Sequence, residues 1–152
     1  MVKNHVVPAD TRAELGQLLL QMSDDFLEAV NEVLHPFHLS ESKLSFLLLL
    51  NSASVQNKSL LPSEIAVNLG IRRASVTKQL ITLKFHGLVQ RNVNFEDQRM
   101  VNIELTKKGH DLLERVMPYY WQVCAKFSHG LTDEETITLL NLLRKIHPKK
   151  YI

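Results

Sequence analysis

The sequence has little of what covalent cross-links, metal clusters or membrane spans require. Its single cysteine, Cys124, excludes an intrachain disulfide and a four-cysteine zinc site. The longest apolar run, Phe46 to Leu50, is far shorter than the roughly 20 residues that cross a bilayer, and no signal-type segment follows the first residues. Five glycines, five prolines and a net charge of +2 are ordinary for a globular chain. We expect one cytoplasmic domain, residues 1–152, without membrane contact.

Motifs for catalysis and cofactor binding are also missing. The sequence contains no GxxxxGKS/T phosphate loop, no GxSxG nucleophile turn, no HExxH zinc motif and no GxGxxG dinucleotide fingerprint. His35, His38 and His110 could approach one another together with Glu114, but separate surface histidines are the more common arrangement. We therefore predict no enzymatic activity, no cofactor and no metal site.

Apolar residues at three- and four-residue spacing predict long helices at both ends of the chain. One covers residues 11–34, and two more cover residues 107–128 and 132–147. Their apolar stripes are larger than the central part of the chain, about 70 residues, can cover, and exposed stripes favour a partner. We expect these helices, about 11–34 and 107–147, to form a homodimer.

Local signals mark the ends of these helices. Thr11 with Glu14 and Thr132 with Glu135 have the spacing of capping boxes, which satisfy the first backbone N–H groups of a helix. Pro118 lies within the predicted helix 107–128, where it removes one backbone hydrogen bond. We expect that helix to bend or break there.

The centre of the chain has the pattern of a helix-turn-helix. A first short helix covers residues 62–69, and Gly70 permits the left-handed backbone that ends it. A second helix covers about residues 73–86 and ends at Gly87. Two short helices joined by a glycine turn are typical of DNA-binding proteins, although the motif also occurs in purely structural contexts.

After Gly87 the apolar period changes from helical to alternating. Residues 88–93 and 101–105 read as two strands of a hairpin whose tip, residues 94–98, is polar. Together with a helix that begins at Ser40, this predicts a winged helix-turn-helix core over about residues 40–106. The expected fold class is mainly α with a small β-hairpin wing and flanking dimerisation helices.

The second helix of the motif presents small, hydroxyl and cationic side chains. If Val76, Leu80 and Leu83 face inward, the opposite side carries a set suited to a major groove, namely Arg73, Ala74, Ser75, Thr77 and Lys78. A solvated helix face is the alternative. Between Ala53 and Leu105 there are seven cationic and four anionic residues, whereas the rest of the chain has 11 cationic and 12 anionic residues. The excess positive charge therefore lies in the segment that contains the helix-turn-helix, which favours DNA binding.

The wing carries a cation near its tip. Arg99 has the chemistry to enter a minor groove, where the negative potential attracts arginine. Asp97 precedes it by two residues and suits an orienting, charge-assisted hydrogen bond. An ordinary solvated loop pair is the alternative.

These patterns coincide with those of a known family. The region from about Leu61 to Gly109 resembles the MarR family of bacterial transcription regulators through the runs SEIA (63–66), LGI (69–71), SVTK (75–78), GLV (87–89), DQR (97–99) and LTKKG (105–109). The resemblance implies that residues 73–86 form the recognition helix, with Arg72, Ala74, Ser75, Thr77 and Lys78 nearest the DNA and Asp97 with Arg99 as the wing pair. Gln98 and Arg73 depart from the usual pattern, where a second arginine and a small residue or proline are common.

The resemblance also implies a homodimeric repressor of a pseudo-palindromic double-stranded operator. Members of this family often bind small aromatic or phenolic effectors between the dimer helices and the DNA-binding unit. Candidate residues for such a crevice are Phe37, His38, Tyr119, Tyr120 and Trp121, although aromatic residues at helical spacing more often belong to a core. Cys124 lies on an apolar stripe and is expected to be a buried, unreactive thiol. The alternative function is a protein–protein adaptor that uses the winged helix without DNA.

Overall fold

The computed structural model describes residues 10–93 and 101–147. Over these residues the chain forms six α-helices, a 3-10 helix and an antiparallel hairpin. In chain order they are α1 (Thr11–Leu34), the 3-10 helix (His35–Phe37), α2 (Glu41–Val55), α3 (Pro62–Leu69), α4 (Arg73–Phe85), β1 (Val89–Val93), β2 (Val101–Leu105), α5 (Lys107–Lys126) and α6 (Asp133–Ile146). The predicted class, mainly α with one β-hairpin, is confirmed.

Helix α2 lies at the centre of the core. It is apolar on nearly all sides, and Phe46, Leu47 and Leu50 are fully buried. It contacts α1, α3, α5 and β2. Ser40 caps the helix by accepting a hydrogen bond from the Lys43 backbone N–H at 3.4 Å. Because α2 touches both the terminal helices and the winged-helix elements, it holds the two parts of the chain together.

Helices α3 and α4 form the predicted helix-turn-helix. The Leu61 N–H donates to the Glu64 carboxylate at 2.7 Å, which satisfies a backbone donor at the start of α3. Gly70 has φ of 65°, a backbone conformation that side chains disfavour, and it lets the chain turn from α3 into α4. Ile65 of α3 and Val76 of α4 are completely buried between the helices and α2. The inner face of α4 is therefore fixed by burial.

The predicted hairpin is present, and its antiparallel register runs from Val89 opposite Leu105 to Val93 opposite Val101. It also has a neighbour that the sequence did not reveal. Leu60 pairs with Ile103, whose N–H donates to the Leu60 carbonyl at 2.7 Å. This bridge attaches the wing to the segment before α3, so the hairpin base is held on both sides.

The first turn of α5 docks closely against the turn that follows α4. Thr106 caps α5 by accepting from the Gly109 N–H at 3.1 Å, and its hydroxyl donates to the Gly87 carbonyl at 2.6 Å. The Thr106 N–H donates to the Leu88 carbonyl at 3.1 Å. Gly109 is buried, and a Cβ placed on it would overlap the Leu88 carbonyl oxygen. Glycine is required here because of this close approach.

One local prediction about the terminal helices is wrong: the N-cap of α1 is Asp10 rather than Thr11, since the Asp10 carboxylate accepts from the Ala13 N–H at 2.8 Å. Helix α5 continues through Pro118 without interruption, so the expected break is absent, whereas the expected bend stays a prediction. The capping box of Thr132 and Glu135 is confirmed by reciprocal bonds of 3.2 and 2.8 Å.

The terminal helices leave much apolar surface exposed. Helix α1 packs along α5, and its buried residues, Val30 and Leu34, belong to its C-terminal half. The N-terminal half of α1 exposes the apolar side chains Leu15, Leu18, Leu20 and Met22. No side chain of α6 is buried, although the helix carries an apolar stripe. These surfaces are covered by nothing within the described chain.

We expect Gly109→Ala to destabilise the fold by about 1–3 kcal/mol, because the added methyl group must displace backbone rather than a flexible side chain. Urea unfolding followed by circular dichroism at fixed protein concentration measures this change. The matched control is Gly16→Ala on exposed α1, where nothing lies within 4 Å of the new Cβ. Gly16→Ala should leave the free energy of unfolding at the wild-type value or raise it by up to about 1 kcal/mol. Equal behaviour of the two variants would contradict the close approach.

Candidate nucleic-acid interface and adjoining cavity

The N-terminal half of α4 is an uncovered surface. All six residues predicted at or near its start are exposed, namely Arg72, Arg73, Ala74, Ser75, Thr77 and Lys78. This exposure follows from the helical period, because Val76 and Leu80 are buried on the opposite side. The structure therefore brings the predicted major-groove residues of α4 together on one face.

The polar groups of this face are largely free to meet an external partner. No side chain caps the α4 N-terminus, so the first backbone N–H groups point outward together with the partial positive charge of the helix. Arg73 and Lys78 form no ion pair with any other described residue. The Thr77 hydroxyl donates to the Arg73 carbonyl at 3.1 Å but keeps its oxygen as an acceptor. Free cations, hydroxyls and uncapped N–H groups are the donors that bind phosphate.

Helix α4 is held in place by polar as well as apolar contacts. The Gln79 side-chain amide donates to the Ser42 hydroxyl of α2 at 2.6 Å. On the hairpin, the Gln90 amide donates to the Glu104 carboxylate at 2.7 Å across the two strands. Arg91 of β1 is exposed beside α4. Asp97 and Arg99, the predicted wing pair, lie outside the described residues, as does Gln98.

A partly open cavity of about 490 Å³ lies beside the C-terminal end of α4. It is lined by the 3-10 helix, the start of α2, the end of α4 and the first turns of α5. Its lining includes the apolar residues Leu39, Leu83, Leu88 and Leu112 and the cationic residues Lys43, Lys108 and Arg115. The volume and mixed lining are those of a site for a small organic molecule. Because the lining comes from both α4 and α5, a bound molecule would contact both.

The predicted effector residues do not all reach this cavity. Phe37 and His38 line it, and Tyr119 lies against Phe37 with ring centroids 5.6 Å apart. Tyr120 is half-buried against the core, and Trp121 is 60% exposed. Neither Tyr120 nor Trp121 is part of the lining. The structure thus brings three of the five together.

The cationic lining was missed in the sequence. Lys43, Lys108 and Arg115 come from two helices and share no local motif, so only the packing of α2 against α5 reveals them as neighbours. The Arg115 guanidinium lies 5.9 Å from the centroid of the Phe37 ring. His38 and His86, which also line the cavity, stack with ring planes 3° apart. The run LTKKG (105–109) did not indicate that the Lys108 side chain points back toward the end of α4.

Tyr120 and Cys124 form a half-buried pair on α5. Burial raises the pKa of the Tyr120 phenol from 10.0 to about 12, and the neighbouring Cys124 and Glu41 add to the shift. Burial also raises the pKa of the Cys124 thiol, although a hydrogen bond with Tyr120 opposes this shift. A thiol with a raised pKa has little reactive thiolate at neutral pH. This pair therefore has the properties of packing, not of a redox centre.

The described histidines do not gather into a metal site. Within residues 10–93 and 101–147, no group of three or more His, Cys, Asp and Glu side chains is placed to hold a metal ion. None of the helices described there has the length and apolar content needed to span a membrane.

Comparison with known proteins identifies relatives along most of the chain, although no protein-family model matches it. The chain is 31% identical over 142 residues to the HTH-type transcriptional repressor YetL of Bacillus subtilis, covering 89% of this chain and 84% of that protein. It is 29% identical over 132 residues to the transcriptional repressor MprA of Escherichia coli, covering 87% and 74%. Among solved structures, mutant MarR from Escherichia coli complexed with operator DNA matches with a TM-score of 0.78 and 26% identity, covering 92% of this chain and 100% of that one.

We expect the absorbance titration of tyrosinate to contain a late step at about pH 12 that Tyr120→Phe removes and that the control Tyr119→Phe, on the exposed side of α5, leaves in place. Because the folded pKa lies above the unfolded value of 10.0, Tyr120 stabilises the fold fully below pH 10 and loses this contribution as the pH rises toward 12. The unfolding free energy of Tyr120→Phe should therefore fall less steeply over that interval. An unchanged late step in Tyr120→Phe would contradict the assignment.

Proposed function

The chain belongs to the MarR family of winged helix-turn-helix transcriptional regulators, and we propose that it represses transcription as a homodimer bound to a pseudo-palindromic operator. The observation that carries this proposal is the exposed start of α4, where Arg72, Arg73 and Lys78 lie beside hydroxyl groups and uncapped backbone N–H groups. These groups supply phosphate contacts and base-edge contacts from one helix. The segment from Ala53 to Leu105, which contains α4, also holds the excess positive charge of the chain.

A homodimer accounts for the apolar surface of the terminal helices. We propose one domain over residues 1–152, in which a winged-helix core of about 40–106 is carried by dimerisation helices at about 11–34 and 107–147. Pairing would cover the exposed stripes of α1 and α6. A twofold axis then presents two copies of α4 to successive major grooves, about 34 Å apart. Asp97 and Arg99 are proposed to reach the adjoining minor groove from the wing.

We further propose that a small aromatic or phenolic effector releases the repressor. The cavity behind α4 supports this, because it combines the Phe37 ring with polar groups and touches both the recognition helix and α5. A molecule bound there would favour one relative position of these helices over another, which is the requirement for control of DNA affinity. This role requires neither catalysis nor a cofactor, and we propose that the protein acts on DNA in the cytoplasm.

We expect Lys78→Met to weaken binding to DNA from around its own gene on the order of tenfold and to lower the slope of log affinity against log salt by about one, because one phosphate contact is lost. Fluorescence anisotropy across a salt series measures both quantities. Lys145→Met, which removes an equal charge from exposed α6, should change neither. Wild-type protein whose binding to DNA is absent or independent of salt would overturn the proposed function and favour a protein–protein adaptor.

We expect Leu140→Asp to raise the dimer dissociation constant by at least about tenfold, because the dimer would bury an unpaired carboxylate. Leu140 is 44% exposed on the apolar stripe of α6. Sedimentation equilibrium gives the dissociation constant, and Thr138→Asp on the polar side of the same helix is the control. Equal dimerisation by the two variants would show that α6 lies outside the interface.

A further inference from the structure

A second groove runs between the C-terminal half of α4 and the first strand of the hairpin. It is open to solvent and has a volume of about 460 Å³. Its helical wall includes Ile81 and Phe85, and its other wall includes three consecutive residues of β1, 89–91. Because consecutive residues of a strand point to opposite faces of a sheet, a groove that touches all three runs along the edge of β1.

The edge of β1 that borders this groove has no strand partner in the part of the chain that the structure describes. Strand β2 lies in the middle of the sheet, since Ile103 pairs with Arg91 on one side and with Leu60 on the other. β1 is therefore an edge strand, and its residues from Gln90 to Val93 are exposed. Its outer edge presents backbone N–H and C=O groups that a further strand can pair with.

The α4 wall of the groove is apolar and uncovered. Phe85 is 85% exposed, the highest value for a large apolar side chain among the described residues, and Ile81, four residues earlier, is 66% exposed. The spacing of four places both side chains on one side of the helix. Leu80 and Ile103, which are buried, also line the groove. A chain seated in the groove would cover Phe85 and Ile81, and burial of such apolar surface is favourable.

The charged side chains that line the groove are cationic. They are Lys84 and Arg91, and neither forms an ion pair with another described residue. The Glu104 carboxylate of β2 is not part of the lining and already accepts a hydrogen bond from the Gln90 amide at 2.7 Å. A second copy of the groove would bring like charges together, so the charge favours a partner that carries carboxylates.

We propose that this groove is a docking site for an extended segment of another protein, which adds to the free edge of β1 as a strand. Its apolar side chains pack on Ile81 and Phe85. Its carboxylates lie beside Lys84 and Arg91. In recognition of this kind, main-chain hydrogen bonds supply affinity and the side-chain contacts supply specificity. The groove follows Lys78, the last α4 residue proposed to contact DNA, so this docking is a property beyond the proposed repressor function.

The first test uses a synthetic peptide, Glu-Glu-Val-Thr-Val-Thr-Val-Glu-Glu with blocked ends, whose binding is measured by fluorescence anisotropy. As a strand it turns its three valines to one face, and glutamates flank them. We expect it to bind wild-type protein, and a peptide with lysine in place of every glutamate to bind at least about tenfold more weakly. Wild-type protein that binds neither peptide, or binds both equally, would overturn the proposal.

Methylated peptides test whether the segment adds as a strand. Alternate N–H groups of a strand point to the same edge, so the valine nitrogens face one side and the threonine nitrogens the other. Methylation of one set should abolish binding because those N–H groups pair with β1, whereas methylation of the other set should leave binding unchanged. Equal effects of the two methylations would contradict strand addition.

The second test assigns binding to the groove. Ile81→Ser and Phe85→Ser should each weaken binding of the acidic peptide on the order of tenfold, because apolar contact is lost. Val67→Ser is the matched control, since Val67 is 82% exposed on α3 and does not line the groove. Arg91→Glu should weaken binding of the acidic peptide and strengthen binding of the lysine peptide. Circular dichroism confirms that each variant folds, and wild-type binding by both serine variants of α4 would exclude the groove.

DNA is also an anionic polymer, so its binding is measured on the same variants. Ile81→Ser and Phe85→Ser should leave the DNA affinity and its salt slope at the wild-type values. Loss of DNA affinity in these variants with unchanged peptide binding would assign the groove to the DNA interface and refute the docking site. Wild-type protein that binds the peptide but no DNA would contradict the proposed function alone, because the peptide assay contains no DNA.

Discussion

The close contact between the first turn of α5 and the carbonyl groups that follow α4 governs the arrangement of this protein. Gly109 lets the two backbones approach, and Thr106 bonds to Gly87 and Leu88. Because α5 belongs to the surface proposed to dimerise and α4 to the surface proposed to meet DNA, this contact sets the position of one relative to the other. A larger residue at 109 would separate the two elements and change the spacing between recognition helices in the dimer.

Most of the fold could be predicted because it is encoded in local periods. The helical stripes, the Gly70 and Gly87 exits and the alternation of residues 88–93 each act over a few neighbours and so appear directly in the sequence. The Leu60–Ile103 bridge could not be found in this way, since a single paired residue has no period. The continuity of α5 through Pro118 depends equally on packing from other helices, which outweighs the lost backbone hydrogen bond.

The candidate site also contains features that the local sequence pattern predicts and features that depend on tertiary packing. The residues of α4 proposed to face DNA share one helix face, so the burial of Val76 and Leu80 on the other face is enough to predict their exposure. The cavity is a tertiary feature: Lys43 precedes Lys108 by 65 positions in the printed sequence, and neither belongs to a recognisable motif for a ligand. Aromatic content alone pointed to Trp121 and Tyr120, which the packing of α5 directs away from the cavity.

Dimerisation also determines how a change in the cavity can be transmitted. An isolated helix of the length of α6, with no buried side chain, is only marginally stable in water, so its order depends on a partner. In the proposed dimer, with α1, α5 and α6 paired, the start of α5 would be held by the partner as well as by Thr106. The end of α4 is held at the cavity by the burial of Leu83 and by the hydrogen bond that the Lys108 ammonium donates to the His86 carbonyl at 2.8 Å. Pairing would therefore stiffen the α5 side of the cavity and leave the α4 side with the contacts of one protomer alone.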